Sequence, residues 1–361
     1  MRLAHFEALS PRCPTCLARW REDVTASPPA PLRLLPQSNR TVRDVVAGVL
    51  RCPECESGYP IIDGLPILVT DPARFLSDQL VYTLLPQDWP VELQGWLSGA
   101  LSQSGWFPTM QRHLSTYGWD HYGDNAGAAA AVADAQPGGV LACLDAGLDG
   151  IHSLPKGAVL DAGCACGRAT FALAERTDAL VLGLDVSIPL LRLAQQALRE
   201  GRVTYPLRDI GNSFNIQTVA VPLLRRDSVD FWVADIHHPP FLPASFACLA
   251  ALNLLDCLAD PLQALRAMRE ISTDGGLTVL SIPYDWGEAA TPMSKWIGGS
   301  KGDVPPDCAP ESVLRKYITE LGWHVLNDVP RHPWRLRIHR RSTVCYDSHV
   351  LLLSGSTAFL R

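Results

Sequence analysis

No run in this 361-residue chain approaches the roughly 18 consecutive apolar residues that a membrane-spanning helix needs. The opening segment, MRLAHFEALSPRCPTC, lacks the apolar stretch of a secretory signal. The expectation is a cytoplasmic protein with no membrane partner. Charge is sparse as well: 19% of residues are charged, and the formal net charge is −6. A globally basic nucleic-acid binder is thereby excluded, and nucleic acid is not an expected partner. A disordered chain is excluded too, because a 47% hydrophobic fraction supplies a core. At about 150 residues per domain, the length suggests two domains, or one with an appendage. Oligomeric state is not legible.

Cysteine is what the chain does have, 11 in all. In a reducing compartment disulfides are rare. Four of the cysteines form two matching tetrapeptides, Cys13-Pro14-Thr15-Cys16 and Cys52-Pro53-Glu54-Cys55. Each C-x-x-C can place two thiolates on one tetrahedral zinc ion, and two such knuckles complete a four-thiolate site. Cys13, Cys16, Cys52 and Cys55 are therefore the expected ligands of a structural zinc. The bland alternative is two surface turns with free thiols; a redox dithiol needs only one such motif in a thioredoxin-like context. Cys143, Cys248, Cys257, Cys308 and Cys345 stand singly and read as small apolar residues.

Gly58-Tyr59-Pro60-Ile61-Ile62 and Leu65-Pro66-Ile67-Leu68 read as two short strands around an Asp63-Gly64 turn. The segment CPECESGYPIIDGLPILV resembles the zinc ribbon of the tRNA-methyltransferase activator family, over about the first 70 residues. Those residues carry eight Arg, no Lys and seven acids, a net of +1. Four thiolates around a divalent ion bring this to about −1, poorly suited to phosphate. A folding staple packed on the next domain is the favoured role.

Residues 71–140 show no strand pattern, and apolar residues recur at helical spacing in 78–85 and 91–101. Ala126–Ala135 reads as a loop or weak helix. From Lys156 onward short apolar strands alternate with amphipathic helices, the signature of a doubly wound α/β sheet. The expected division is a ribbon over 1–70, a helical linker or lid over 71–150, and an α/β domain over 151–361.

The loop Asp161-Ala162-Gly163-Cys164-Ala165-Cys166-Gly167 follows a strand and opens a helix over Ala169–Glu175. Its small residues let the backbone turn sharply and approach a ligand at the strand's carboxyl end. A second strand ends in Asp185, whose carboxylate can accept hydrogen bonds from a ribose diol. The loop is D-x-G-x-A-x-G, not the G-x-G-x-x-G of a dinucleotide site.

This pattern resembles motif I of the class I S-adenosylmethionine-dependent methyltransferases, with Ala165 in place of the middle glycine. The likeness spans about 155–354 and implies a Rossmann-like sheet and S-adenosylmethionine as cofactor. By that resemblance Asp161, Gly163 and Gly167, with Cys164 and Ala165, frame the methionine part. Asp185 and the adjacent Val186 sit at the ribose. Asp235 reaches the adenine amino group, Ile236 flanks the ring, and Asn253 ends the next strand at the site. Val325–Val329 and Val344–Ser354 suit the terminal antiparallel strands. Leu277–Ile282 reads as a strand after a break at Asp274-Gly275-Gly276. His237 and His238 invite a metal reading, but adjacent strand residues point opposite ways.

A narrower likeness lies in Asn253-Leu254-Leu255-Asp256, Pro283-Tyr284-Asp285-Trp286, Lys295-Trp296-Ile297-Gly298-Gly299 and His121-Tyr122-Gly123. These are similar to the mercaptohistidine N-methyltransferase domain of ovothiol biosynthesis, which methylates an imidazole ring nitrogen. A small-molecule substrate follows from it. Asp285 stands where that family has Thr, so a different heterocycle, amine or thiol stays open. So does an rRNA or protein substrate docked by the ribbon. Methyl transfer is an in-line displacement, helped by aromatic walls that attract a sulfonium and exclude water. Tyr122, Tyr284 and Trp286 are the candidate walls, with His121 and Asn253 as polar orienters. Asp285 is a candidate for a substrate cation or for a turn cap. The alternating stretch Trp334–Arg341 reads as a half-buried strand with a solvated basic face.

Overall fold

The computed structural model describes residues 1–23, 25–85, 89–102, 104–125, 136–299 and 309–356. The expected loop or weak helix at 126–135, and Cys308, lie outside the described residues.

The chain opens with α1 (Leu3–Leu9), α2 (Pro14–Glu22), β1 (Arg33–Leu34), β2 (Asn39–Arg40), β3 (Val45–Arg51), β4 (Gly58–Ile62) and β5 (Leu65–Leu68). The turn between β4 and β5 has Asp63 at φ +52° and Gly64 at φ +78°. Two left-handed residues are what a primed hairpin turn requires, and Asp-Gly supplies them cheaply. Helices follow: α3 (Pro72–Asp78), α4 (Leu80–Leu84), α5 (Val91–Ala100), α6 (Trp106–Tyr122) and α7 (Gly139–Gly147). Among the described residues of 71–140 there is no strand.

The longest of these helices, α6, is absent from the expectations above. Its second half buries Leu114, Ser115, Gly118, Trp119, Asp120, His121 and Tyr122. A helix buried on several sides shows no clean amphipathic stripe, so its periodicity is hidden.

The remainder alternates strand and helix: β6 (Val159–Ala162), α8 (Arg168–Ala174), β7 (Val181–Asp185), α9 (Ile188–Glu200), β8 (Arg202–Arg208), β9 (Phe214–Ala220), β10 (Val229–Ala234), β11 (Phe246–Leu252), α10 (Pro261–Ile271), β12 (Ser272–Ile282), α11 (Pro310–Glu320), β13 (His324–His339) and β14 (Ser342–Ser354). The β8–β9 ribbon is a separate two-stranded sheet that the sequence reading passed over. No break follows α10 either. Strand β12 starts directly at Ser272, and Asp274-Gly275-Gly276 forms a bulge within it, between the Phe246–Ser272 and Cys248–Leu277 pairs.

The large sheet has 12 strands, in the order β1-β3-β4-β5-β10-β7-β6-β11-β12-β14-β13, with β2 beside β3. Its centre is parallel, and β14 runs antiparallel to β12 and β13. This is the expected doubly wound α/β sheet. The N-terminal strands do not merely pack against it. Strand β5 pairs in parallel with β10, Ile67 opposite Val233 and Leu68 opposite Ala234, so one sheet runs through both.

Strand alternation divides the core into two layers. Val159, Val181 and Phe231 face one layer with Leu114, Trp119, Leu144, Phe171 and Leu191. Leu160, Leu182 and Trp232 face the other, with Leu265, Met268, Leu314 and the N-terminal Cys13, Leu50 and Tyr59. The connection order reverses between β6 and β11. Open α/β sheets bind ligands at the carboxyl ends of strands beside such a switch point.

Candidate active site

The loop after β6 is built from left-handed residues. Gly163, Ala165 and Gly167 have φ of +71°, +46° and +82°. A Cβ at Gly163 would lie 2.6 Å from Leu254, and one at Gly167 would lie 2.6 Å from the Phe231 ring. Ala165 carries a side chain in a conformation glycine adopts at less cost.

Two carboxylates hold this loop. Asp161 is buried, and its Oδ2 accepts a hydrogen bond from Thr170 Oγ1 at 2.6 Å. Burial pushes its carboxyl up to about 7, against the hydrogen bond from Thr170. Asp185 accepts the amide protons of Ala165 and Ser187, each at 2.8 Å. Burial raises its pKa, and those amides oppose the rise. Val186 beside it is 47% exposed.

His121 and Tyr122 reach the loop from the end of α6. His121 Nδ1 accepts the Arg168 amide proton at 3.1 Å, and Tyr122 donates to the Cys166 carbonyl. Burial, then the Arg168 charge, pushes the His121 imidazole down to about 3, so it is neutral at physiological pH. Both side chains are buried and grip the backbone of the cofactor loop. Cys164 and Cys166 are buried as small residues within it, and burial holds both thiols protonated.

Asp235 accepts the backbone amide and the ring Nδ1 proton of His237, at 2.9 and 2.6 Å. Burial raises its carboxyl, but these bonds outweigh it and the net shift is downward. His237 uses Nε2 to accept the Asp260 amide proton, and His238 lies 3.4 Å from Gln263. Among the described residues neither histidine belongs to a group able to hold a metal. Ile236 is buried beside Asp235.

Asn253, at φ +50°, ends β11. Its Oδ1 accepts from Ser281 and Ser348, both at 3.0 Å, which fixes the strand end. Tyr284, at φ +57°, follows β12. A bulky residue in this region is strained and persists only where its surroundings demand it. Asp285 takes a 2.8 Å hydrogen bond from Tyr346, and its amide donates to the buried Asp256 at 3.0 Å. Burial, against the Asp285 amide, pushes Asp256 up to about 6. Trp286 Nε1 and Asp256 Oδ1 are both buried with no partner among the described residues. Burial, then the charges of Asp256, Asp185 and Asp285, pushes the Cys257 thiol up to about 12. The predicted Asp185 and Asp285 thus act, with Asp256, on one thiol. Sequence reasoning had not assigned Asp256, Tyr346 or Thr170 a role.

At the far edge the four expected ligands converge. The sulfurs of Cys13, Cys16, Cys52 and Cys55 lie within 4.8 Å of one another, with Cys13–Cys55 at 3.6 Å and Cys16–Cys52 at 3.8 Å. The amides of Cys16 and Glu54 point at Cys13 and Cys52 sulfur, each at 3.4 Å.

Residues 160–280 match the family model of a methyltransferase domain. The chain carries an S-adenosylmethionine-dependent methyltransferase domain. No curated protein matches the chain. Among solved structures, this methyltransferase is similar at 15% identity to a chain in the complex of the Haloferax volcanii Trm112 methyltransferase activator with a putative methyltransferase (66% of this chain, 96% of that one, TM-score 0.40). A TehB-like methyltransferase of Corynebacterium glutamicum is 17% identical (60% and 88%, TM-score 0.34). A phosphoethanolamine N-methyltransferase of Haemonchus contortus, bound to phosphomonomethylethanolamine and S-adenosylhomocysteine, is 14% identical (53% and 38%, TM-score 0.35). The cofactor fits the residues present. Asp185 offers acceptors only, beside the loop at the carboxyl end of β6, and acidic groups favour a sulfonium.

No helix among the described residues is long and apolar enough to cross a membrane.

Proposed function

We propose that the enzyme methylates a ring nitrogen of a small imidazole-type substrate, histidine-like or thiohistidine-like. One observation carries this reading: aromatic and acidic groups meet at the ends of β11 and β12. Tyr284, Trp286 and Tyr346 supply flat apolar faces, while Asp256 and Asp285 supply charge for a substrate ammonium. The resemblance of Pro283-Tyr284-Asp285-Trp286 to mercaptohistidine N-methyltransferases supports the same substrate class.

The bound cofactor supplies an electrophilic methyl on a sulfonium. The chain's own residues do the rest. Asp161, Gly163, Cys164, Ala165 and Gly167 form the methionine cradle, Asp185 and Val186 the ribose end, Asp235 and Ile236 the adenine end. His121 and Tyr122 keep the loop in register from below, and Asn253 fixes the strand end that borders the acceptor. Tyr284 and Trp286 exclude water and hold the ring within reach of in-line attack. A neutral imidazole already has a lone pair, so orientation and desolvation dominate.

The four thiolates hold a structural zinc in this proposal. Zinc–sulfur bonds of about 2.3 Å at the tetrahedral angle separate sulfurs by about 3.8 Å. The 3.6 and 3.8 Å spacings support that occupant, and the aligned amides stabilise thiolate charge. The continuity of β5 with the methyltransferase sheet supports a structural role for the ribbon over a dock for RNA or protein. The acceptor test is transfer of labelled methyl to a panel of histidine-like thiols, histidine, RNA and bulk protein. Incorporation into the small imidazoles is expected, and incorporation confined to RNA or protein would refute the reading.

A further inference from the structure

The end of β12, the middle of β14 and the middle of β13 share a hydrogen-bond chain that the scheme above does not use. Tyr284 Oη lies 2.8 Å from His349 Nδ1. His349 Nε2 lies 2.9 Å from Asp328 Oδ1, and Arg315 Nε donates to Asp328 Oδ2 at 2.7 Å. The Tyr284 and His349 rings stack at 27°, with centroids 6.1 Å apart. His349 is 1% exposed, whereas the Asp328 side chain is 28% exposed. The chain therefore starts at Tyr284, beside Asp285 at the end of β12, passes through a buried imidazole and ends at a carboxylate that reaches water.

Charge decides the direction of each bond. Arg315 keeps Asp328 ionised, so its carboxylate only accepts, and His349 must carry its proton on Nε2. Nδ1 is then a bare lone pair, and Tyr284 donates its hydroxyl proton inward. The Tyr284 oxygen keeps a lone pair able to accept.

We propose that Tyr284, His349 and Asp328 form a proton relay that removes the ring N–H proton of the methyl acceptor. The proposal rests on the ring-nitrogen reading above. The Tyr284 oxygen accepts a hydrogen bond from the N–H at one ring position, which makes the other nitrogen more nucleophilic. As the new N–CH3 bond forms and the S–CH3 bond breaks, the ring N–H proton moves to the Tyr284 oxygen. The Tyr284 hydroxyl proton moves to His349 Nδ1. The product leaves as a neutral methylated ring, the sulfonium becomes a thioether, and the positive charge resides on His349 beside Asp328. From there the proton leaves to water. Tyr284 is the catalytic residue of this chain; His349 and Asp328 are positioning residues that act through it. Tyr284's left-handed backbone fits the role, since it turns the ring back onto β14. The charged and titratable groups facing His349 are Asp328 on β13, Arg315 and Glu311 on α11, and Tyr284. Burial lowers the His349 pKa, so it waits as the neutral base.

Two measurements test the relay. The first uses full-length zinc-loaded protein with 15N-histidine and no acceptor, with His349 assigned from the His349→Gln spectrum. The expected result is the Nε2–H tautomer, switched to Nδ1–H in Asp328→Asn. An Nδ1–H tautomer in the wild type would overturn the proposal whatever the acceptor proves to be. The second compares pH–rate profiles with an imidazole acceptor. His349→Gln keeps both hydrogen bonds but cannot take up a proton. It should lose on the order of 10²-fold in kcat, and the acid limb of the profile, with an unchanged KM for S-adenosylmethionine. Retention of the wild-type rate and profile would overturn the relay. A wild type that methylates no imidazole refutes the substrate reading instead, and the tautomer still decides the relay's geometry.

Discussion

Substituting Gly167→Ala probes the cofactor loop where its geometry is tightest. The residue sits at φ +82°, and a Cβ there would lie 2.6 Å from Phe231 Cζ and 2.9 Å from Ala194 Cβ. Phe231 is fully buried in a parallel strand and packs edge-on against Phe171, so it cannot swing aside. The left-handed backbone costs an L-residue about 1–2 kcal/mol. Overpacking a filled core adds about 1–3 kcal/mol. The loss expected in urea unfolding, followed by tryptophan fluorescence, is therefore about 2–5 kcal/mol, with weakened S-adenosylmethionine binding in calorimetry. Ala165→Gly is the matched control of opposite sign. It relieves a φ of +46°, offset by about 0.5–1 kcal/mol of glycine chain entropy, and should be neutral to slightly stabilising. A Gly167→Ala protein within about 1 kcal/mol of the wild type would refute the claim that packing dictates this loop.

Three further outcomes follow from the same structure. Metal analysis should find one zinc per chain, and chelation or Cys52→Ser should lower the unfolding midpoint of the whole protein, since Cys13, Cys52 and Tyr59 share a core with Leu160 and Trp232; an unchanged midpoint would contradict the structural role. Tyr122→Phe removes the donor to the Cys166 carbonyl and should cost about 1–3 kcal/mol with several-fold weaker cofactor binding, whereas full affinity would show that the loop does not depend on α6. Asp161 has its pKa raised by burial from 3.8 to about 7, so between those values the folded protein holds a proton that the unfolded chain has lost. Its contribution to stability therefore falls as pH rises across that window. Asp161→Asn should flatten this part of the stability profile measured without cofactor, and an unaltered slope would place the titration elsewhere.

The parallel sheet was legible because its strands are short apolar runs closed by Asp161, Asp185 and Asp235, each followed by loop residues at a carboxyl end. The cysteine quartet was legible because two tetrapeptides of one pattern, C-P-x-C, predict sulfurs that meet. Other features were hidden for physical reasons. Helix α6 is buried on several sides, so no stripe marks it, and Gly118 inside it reads as a breaker although its missing side chain is what lets the Tyr205 ring approach. Strand β12 runs through Asp274-Gly275-Gly276 because a bulge absorbs residues that otherwise end structure. Arg337 lies on what reads as a solvated basic face, yet it is 5% exposed, because β13 packs onto α6 and β8. The Tyr284–His349–Asp328 chain joins residues 65 and then 21 positions apart, which no local pattern reveals. Its one trace in the sequence is a histidine set in the apolar run of β14.

The central claim is tested most directly by the position of the transferred methyl. Turnover of a histidine-like thiol with S-adenosylmethionine carrying a 13C-methyl group, read by carbon–nitrogen and carbon–sulfur correlations in NMR, should place the label on a ring nitrogen. A label on sulfur, or transfer only to RNA or protein, would contradict the account.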